Sequence, residues 1–218
     1  EHRVATTSRY CTRTLPWPRE SEAAQCAWLL ELAATHGLQG WIIFPSDDES
    51  AAMLSRHHAV LAEHFALTTP PWETLRWAYD KRLTNNLAAH LKIPTPQTWY
   101  PQNEDQLTAL IEQGVTFPAV LKPAYKRDSN RFTNARAWRV DNADALIERY
   151  RDALALVPPD VIMLQALIPG RGEAQFSFAA LCQDGTPIVS AVAQRVRQFP
   201  PEFGRASTHV ETVEQPED

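Results

Sequence analysis

One of the few lysines in the chain stands where its charge could do chemistry. Residues 117–121 spell FPAVL and Lys122 follows this apolar run, although only four of the 21 basic residues are lysines. An ammonium group at the end of a strand can point at an anion held in a site. Equally, its stem can lie along an apolar surface while its head stays in water. Lys122 alone does not define a site, so the choice depends on other residues.

A basic stretch follows this lysine within a chain that is acidic overall. Arg127, Arg131, Arg136 and Arg139 lie close together, whereas the whole chain has a formal net charge of −5. That overall charge argues against a general nucleic-acid-binding protein. The basic stretch is therefore a local feature that could bind an anion or form a solvated charged surface.

Metal and thiol chemistry are not indicated. His57, His58 and His64 lie in one predicted helix without carboxylate or cysteine companions, which is more typical of a helix surface than of a metal site. The three cysteines are few, odd in number and widely spaced, so they predict neither a disulfide framework nor a zinc site. We therefore assign no metal ligand, and we expect the cysteines to be small core residues.

Length and composition limit the class of protein. With 218 residues, of which 44% are hydrophobic, the chain can bury one large core or two small ones. No apolar run approaches the roughly 18–20 residues of a membrane span, and no secretory signal pattern is present, so the cytoplasm is the expected compartment. With only seven glycines, the chain has neither GxxxxGK[ST] nor GxGxxG, so P-loop kinases and Rossmann dehydrogenases are unsupported.

The first third of the chain alternates helical and extended patterns. Residues 21–37 predict a helix that begins at Ser21 and stops at Gly37, and residues 40–45 predict a short apolar strand. Residues 46–65 predict a second helix, capped by Ser46 or by the aspartates that follow it. This alternation favours a parallel sheet with helices packed on it.

The rest of the chain mixes helices with antiparallel strand patterns. We place a domain boundary near Tyr79, after which Asp80 caps a helix that runs into a proline-led edge strand. A hairpin with the turn Asp184-Gly185 closes the predicted order. The elements predicted between the edge strand and the hairpin are a helix at 103–114, strands at 117–123 and 135–140, a helix at 142–154 and a strand at 161–170.

The order of four short motifs resembles the ATP-grasp ligases. DK opens a helix at residues 80–81, PTP closes it at 94–96, KP ends an apolar strand at 122–123, and IPG ends a later strand at 168–170, with a glutamate beyond. The resemblance covers residues 40–213 and is strongest to the carboxylate–amine ligases and carbamoyl-phosphate-synthase-like members. It implies an α/β and α+β fold. The implied domains are an α/β pre-ATP-grasp domain with a truncated N-terminus at 1–79, a first ATP-grasp lobe at 80–164 and an incomplete second lobe at 165–218.

The resemblance implies that two lysines hold ATP. It places Lys122 at the α- and β-phosphates and Lys81 as a second phosphate-binding cation. Gln165 and Ala166 would meet the adenine edge, and Leu167 and Ile168 would cover the faces of the base. Most family members have a glutamate near Gln165; here the amide oxygen of Gln165 would accept instead. The alternative for Lys81 is a solvated charge in the first turn of a helix.

Two further regions follow from the same resemblance. Glu173 would accept from the ribose hydroxyls, or it is an exposed acid at the start of a strand. Residues 125–138 stand where the family has a glycine-rich flap; this sequence has no glycine there. It offers side chains that could bind phosphate or form a solvated hairpin, namely Lys126, Arg127, Ser129, Asn130, Arg131 and Arg136.

Catalytic and metal roles complete the implied site. Arg195 and Arg197 alternate along the second hairpin strand, and Arg195 is the preferred contact to the transferred phosphate or the carboxylate substrate; a polar outer sheet face is the alternative. The family holds Mg²⁺ with acidic residues on two late strands. We expect no such pair of strands after Arg197. The later acids are expected in a loop and tail and are not assigned to metal, namely Glu202, Glu211, Glu214, Glu217 and Asp218. The ligands should therefore lie beyond residue 218.

The implied activity is that of an ATP-dependent ligase. The intact enzyme would activate a carboxylate as an acyl phosphate for attack by an amine, whereas this portion alone is expected to be inactive. A non-catalytic nucleotide-binding module and a ligand-free structural domain remain alternatives. Small-molecule carboxylate and amine substrates are the expected partners, nucleic acid and membrane are not, and a homodimer is left open.

Overall fold

The computed structural model describes residues 4–125, 129–135, 137–170, 174–199, 203 and 206–214. The chain divides into two units, Glu1–Leu87 and Ala88–Asp218. Among the described helices, none combines the length and the apolar character that crossing a membrane requires. The domain limits expected from the sequence at Tyr79 and Leu164 remain predictions.

Helices dominate the first unit because capped apolar patterns recur along it. Ser21 accepts a hydrogen bond from the backbone of Ala24 at 3.1 Å, and Asp47 accepts one from Ser50 at 2.7 Å, so both predicted helix starts are confirmed. The short strands pair in parallel, as the sequence predicts. The elements are α1 (Glu22–Thr35), β1 (Ile42–Ile43), α2 (Asp48–Arg56), α3 (His58–Leu61), β2 (Ala66–Leu67) and α4 (Trp72–Tyr79).

The helix predicted over residues 46–65 is in fact two. It breaks at His57, which is the C-cap of α2 and the N-cap of α3. Met53, Leu54 and Leu61 are buried in the core of this unit, so both short helices keep their apolar faces inward. The prediction of one continuous helix was wrong because apolar spacing alone does not reveal a break between two helices that bury the same face.

Helix α5 (Lys81–His90) follows, and its start matches the sequence prediction. The carboxylate of Asp80 accepts from the backbone N–H of Arg82 at 2.9 Å and also pairs with the guanidinium of that residue. The structure describes every residue of α5, and none of them is buried. The limit between the two units falls within this helix.

A four-stranded antiparallel sheet organises the second unit. Its strand order is β3-β6-β4-β5, so the strand that carries Lys122 lies in its interior. Leu121 and Leu164 are fully buried on one face, together with Leu107, Leu146 and Tyr150 from two helices. The elements are β3 (Thr98–Trp99), α6 (Glu104–Glu112), β4 (Ala119–Pro123), α7 (Arg131–Asn134), β5 (Trp138–Val140), α8 (Ala143–Leu154) and β6 (Ile162–Ala166).

A three-stranded antiparallel sheet follows in the same unit. It consists of β7 (Phe176–Gln183), β8 (Thr186–Phe199) and β9 (Ala206–Val213) in that order. The predicted hairpin is confirmed: its turn residues, Asp184 and Gly185, have φ of 50° and 78°, as a two-residue primed turn requires.

Strand β9 corrects the expectation that Glu211 belongs to a loop or tail. It pairs with β8 from Val192 to Phe199 through two register shifts. Polar and apolar residues alternate in part of STHVETV (207–213), as in a strand. Most residues of this segment are polar or charged, so the sequence pattern did not indicate a strand.

Candidate functional site

A pocket of about 530 Å³ lies in the second unit, between the two sheets described above. Strands β4 and β6, the segment after β6, and strands β7 and β8 supply its walls. It brings together six side chains that the sequence singled out: Lys122, Gln165, Ala166, Leu167, Ile168 and Arg195. The residues of this set stand up to 73 positions apart in the chain (195 − 122 = 73), and the fold places them around one volume.

Strand register explains why Lys122 meets Gln165. In the β4–β6 pair, Val120 lies opposite Gln165 and Lys122 lies opposite Met163, so Lys122 and Gln165 are diagonal neighbours on one face. The Lys122 Nζ donates to Gln165 Oε1 at 2.6 Å. The opposite face carries the fully buried Leu121 and Leu164, which fix the strand on the core. Lys122 is thus a partly buried cation on a rigid interior strand.

Gln165 is part of a longer polar chain. Its side chain is only 8% exposed, and its Nε2 donates to Thr98 Oγ1 at 2.7 Å. Thr98 in turn donates to the carbonyl of Pro96 at 2.8 Å. The amide oxygen of Gln165, which was expected to accept from an adenine amino group, accepts from Lys122 in the structure. A carbonyl oxygen has a second lone pair, so it can accept from another donor as well.

The segment after β6 forms one wall of the pocket. The Ala166 N–H donates to the Gln97 carbonyl at 2.9 Å, and the Leu167 N–H donates to the Pro118 carbonyl at 3.2 Å. These two donors are used within the protein, so an adenine edge would meet other backbone groups of the segment. Ile168 is 64% exposed and offers an apolar surface beside them.

The conformation of Gly170 explains why the last residue of the IPG motif is a glycine. Its φ is +120°, a conformation that other residues rarely adopt, and an added Cβ would stand 2.9 Å from the Ala174 Cβ. Both the backbone angle and the close approach require glycine at this turn in the pocket wall.

Arg195 brings a second positive charge to the same pocket. Its Nη1 donates to Gln198 Oε1 at 2.8 Å, and its strand neighbours fix the backbone in the middle of β8. Register shifts separate Arg195 from Arg197, which is exposed and donates to Thr208 at 3.3 Å. The geometry therefore distinguishes the two arginines, and only Arg195 lines the pocket among the described residues.

Several lining residues were missed by sequence reasoning. Ser177 and Gln198 add polar groups, and Phe176 and Phe203 add apolar surface. Ser177 interrupts the apolar strand FSFAAL, which is the local signal that could have identified it. Thr98 contributes through Gln165 across 67 residues of sequence, and no local pattern marks such a contact.

The other predicted nucleotide-binding residues have different outcomes. Lys81 starts α5 in the first unit, so its predicted convergence with Lys122 on one anion remains a prediction. Arg136 and Glu173 lie outside the described residues, as do Lys126 and Arg127.

The described part of the basic loop is anchored by a helical turn. Asn130 caps α7 and accepts from the backbone of Phe132 and Thr133 at 2.9 and 3.0 Å. Phe132 is almost fully buried, and Arg131 pairs with Asp152 at 3.3 Å. These groups already have partners within the protein, which accounts for a loop without glycine; a phosphate-binding role for them stays a prediction.

The described residues do not supply a magnesium site. No group of three or more His, Cys, Asp or Glu side chains among them could hold a metal ion. On β9, Glu211 pairs with His209 at 3.5 Å rather than with a second carboxylate. The carboxylate set that Mg²⁺ prefers is therefore not formed by this part of the chain.

Comparisons with solved structures identify the fold. An L-amino acid ligase from Bacillus licheniformis aligns with 88% of this chain and 41% of its own, at TM-score 0.64 and 19% identity. A D-alanine–D-alanine ligase from Bacillus anthracis, complexed with ATP, aligns with 98% of this chain and 64% of its own, at TM-score 0.56 and 14% identity. The chain has an ATP-grasp fold.

A third structure adds a further branch of the same fold. The biotin carboxylase domain of a Hydrogenobacter thermophilus 2-oxoglutarate carboxylase, in complex with MgADP, ADP and bicarbonate, aligns with 76% of this chain and 37% of its own. Its TM-score is 0.53 and its identity is 13%. The expected ATP-grasp fold class is thus confirmed. No family model and no curated protein sequence matches the chain, and the chain spans less than two thirds of each of these three structures.

Proposed function

We propose that the chain is the ATP-binding portion of an ATP-dependent ligase, which activates a carboxylate as an acyl phosphate for attack by an amine. The observation that carries the proposal is the pocket lined by Lys122, Gln165 and Arg195 within an ATP-grasp fold. The ATP and MgADP complexes of the D-alanine–D-alanine ligase and the biotin carboxylase domain support a nucleotide as the ligand.

The two described cations of the pocket suit a polyphosphate. Lys122 would contact the α- and β-phosphates, since its strand limits where the ammonium can move. Arg195 would contact the transferred phosphoryl group or the carboxylate, because a guanidinium offers paired donors to either anion. Lys81 and Arg136 are proposed as further phosphate contacts.

The apolar wall suits the base and sugar of the nucleotide. Leu167 and Ile168 would cover the adenine faces, and the second lone pair of the Gln165 amide oxygen, with the backbone of Ala166, would accept from the amino group. Glu173 is proposed to accept from the ribose hydroxyls. The resemblance implies these roles, and the position of each residue along the wall or, for Glu173, its place after the IPG motif supports them.

The reaction would need positioning and charge neutralisation more than a protein nucleophile. A carboxylate oxygen bonds to the γ-phosphorus while the bond from that phosphorus to the bridging oxygen breaks, and ADP leaves. The amine nitrogen then bonds to the acyl carbon, the carbon–oxygen bond to phosphate breaks, and the nitrogen loses a proton. Fixed cations stabilise the charge on the transferred group in the first step.

The wider setting of this activity is also proposed. Mg²⁺ would neutralise the β- and γ-phosphates when bound, and its ligands would come from residues beyond position 218. The substrates are small carboxylates and amines, a homodimer is left open, and we expect the cytoplasm as the compartment. This portion alone would bind ATP without completing the reaction.

Calorimetric titration with ATP tests the proposal. We expect Lys122→Met to weaken ATP binding by about 10-fold or more, because a hydrogen bond to a charged group is worth about 1.5–3 kcal/mol. Lys92→Met removes the same charge from an exposed position in the same unit and should change the affinity less than about twofold.

Two results would overturn the proposal. A wild-type protein that binds no ATP would favour a ligand-free structural domain. Equal affinities for the wild type and K122M would remove Lys122 from the site.

A further inference from the structure

We propose that Thr98 is a positioning residue that sets the direction of the Lys122 ammonium through the side-chain amide of Gln165. The inference rests on the proposed function, because it concerns the same pocket. Thr98 lies on β3, is half-buried and does not itself line the pocket. Its influence on a ligand would therefore pass entirely through Gln165 and Lys122.

The two ends of the polar chain fix its direction. An ammonium can only donate hydrogen bonds, and the carbonyl of Pro96 can only accept them. The single hydroxyl proton of Thr98 goes to Pro96 at 2.8 Å, so Thr98 Oγ1 must accept from the Gln165 NH₂ at 2.7 Å. The amide oxygen of Gln165 is then turned toward Lys122, from which it accepts at 2.6 Å. Each of these three hydrogen bonds joins a donor to an acceptor.

Strand register holds the three side chains in line. Thr98 stands opposite Gln165 in the β3–β6 pair, and Lys122 is the diagonal neighbour of Gln165 in the β4–β6 pair. All three side chains therefore leave the same face of the sheet. Because Gln165 is 8% exposed, water has little access to replace a lost partner of its amide.

The hydroxyl of Thr98 adds to the free-energy cost of turning the amide over. If Gln165 flipped, its NH₂ would face the ammonium, donor against donor, and Lys122 would have to move away. A flipped amide would also present its oxygen to Thr98, which has already given its proton to Pro96. Without the hydroxyl, the Gln165 NH₂ loses its acceptor at position 98, so the flip would cost less.

A carboxylate at position 165 would not need this control. Both oxygens of a glutamate accept hydrogen bonds, so either of them could face Lys122. The influence of Thr98 on Lys122 should therefore depend on the glutamine at position 165. This dependence separates a positioning role of Thr98 from a general contribution to stability.

The test uses four variants and one control. Thr98→Val removes the hydroxyl and keeps the shape, Thr98→Ser keeps the hydroxyl, and Q165E is made alone and with T98V. Thr108→Val is the control, because Thr108 also donates to a backbone carbonyl, that of Glu104 at 2.9 Å, from the exposed face of α6.

Two readouts distinguish the inference from the proposed function. The first, which needs no nucleotide, is the pair of ¹³Cε and ¹⁵Nζ chemical shifts of Lys122, detected through the Cε protons and assigned with Lys122→Arg. The second is the ATP dissociation constant. We expect T98V to shift the Lys122 resonances and to weaken ATP binding about 3- to 10-fold, and T98S to restore both. T98V in the Q165E background and T108V should change the affinity less than about twofold.

Each unfavourable outcome has a defined meaning. Unchanged Lys122 shifts in T98V, or equal effects of T98V with glutamine and with glutamate at position 165, would overturn the positioning role. If the wild type binds no ATP, the proposed function fails, and the chemical shifts still decide whether Thr98 orients Lys122.

Discussion

At the scale of single residues, the Lys122 cation of the pocket belongs to a series of hydrogen bonds that ends outside the pocket. Lys122 on β4 donates to Gln165 on β6, which donates to Thr98 on β3. Thr98 donates to the carbonyl of Pro96, in the segment before β3. The side chain of Lys122 is therefore linked by hydrogen bonds to two other strands. A group held in this way can meet a ligand without much loss of side-chain freedom. Small changes in the residues behind the pocket should therefore alter the position of Lys122 and the affinity for a ligand.

Gly170 offers a residue-scale test of the pocket wall. We predict that Gly170→Ala lowers the free energy of unfolding by about 1–3 kcal/mol, since the new Cβ meets Ala174 and the backbone keeps a positive φ. Gly114→Ala is the matched control, because Gly114 also has positive φ but has open space around it. Urea unfolding of both variants checks the prediction.

The comparison of the two glycines isolates the steric part of the effect. Gly114→Ala should show the cost of the backbone angle alone, and Gly170→Ala should cost more by about 1 kcal/mol. Equal losses in the two variants would show that the contact with Ala174 relaxes without cost and that the wall at Gly170 is not closely packed.

At the scale of elements, a buried tyrosine joins helix α8 to the segment that precedes α6. Tyr150 is fully buried and donates to the carbonyl of Pro101 at 2.7 Å. Burial, with a smaller contribution from the charge of Glu104, raises the pKa of Tyr150 to about 12 from its ordinary value of 10.0. The neutral side chain is therefore favoured in the folded protein.

This shift predicts a loss of stability in alkali. The raised pKa contributes stability that is complete below pH 10, where the unfolded chain begins to release the proton, and that is lost as pH rises toward 12. We expect the wild type to lose roughly 2–3 kcal/mol more than Tyr150→Phe over this range. Urea unfolding from pH 9 to 12 measures the difference.

Tyr10→Phe is the control for alkaline unfolding, because Tyr10 is 75% exposed. It should follow the wild type throughout the range. Parallel curves for the wild type and Y150F would contradict the account, since they would mean that Tyr150 ionises equally readily in the folded and unfolded chains.

Much of the element order could be predicted from local signals. Ser21 marks α1, the apolar run before Lys122 marks β4, and Asp184-Gly185 marks the β7–β8 hairpin. These features are encoded by neighbouring residues, so caps, periodicity and turn chemistry reveal them. Lys122 was also found in this way, at the end of a predicted strand, and Arg195 by alternation along a predicted strand, whereas Gln165 followed from the resemblance to the ATP-grasp ligases.

Other features could not be predicted because their causes are not local. The break at His57 depends on how two short helices share one core, and β9 is stabilised by pairing with β8 rather than by its own apolar residues. Helix α7 has only four residues, which is too short for a periodic apolar pattern, so the sequence indicated it only through the capping residue Asn130. Thr98 reaches the site through contacts across 67 residues of sequence.

At the scale of the whole molecule, the chain has an ATP-grasp fold but spans only part of the ligases that share it. It covers 41% of the L-amino acid ligase and 64% of the D-alanine–D-alanine ligase. The described residues that line the pocket all belong to the second unit. We therefore expect the proposed recognition of the adenine to be a property of this unit.

Photo-cross-linking with 8-azido-ATP tests the central claim most directly, because the reactive nitrogen sits on the adenine ring. After irradiation and trypsin digestion, mass spectrometry locates the modified peptide. We predict adducts in the peptide of residues 152–171, which contains Gln165–Ile168, and their loss when excess ATP competes. Adducts confined to residues 1–79, or labelling that ATP does not reduce, would contradict it.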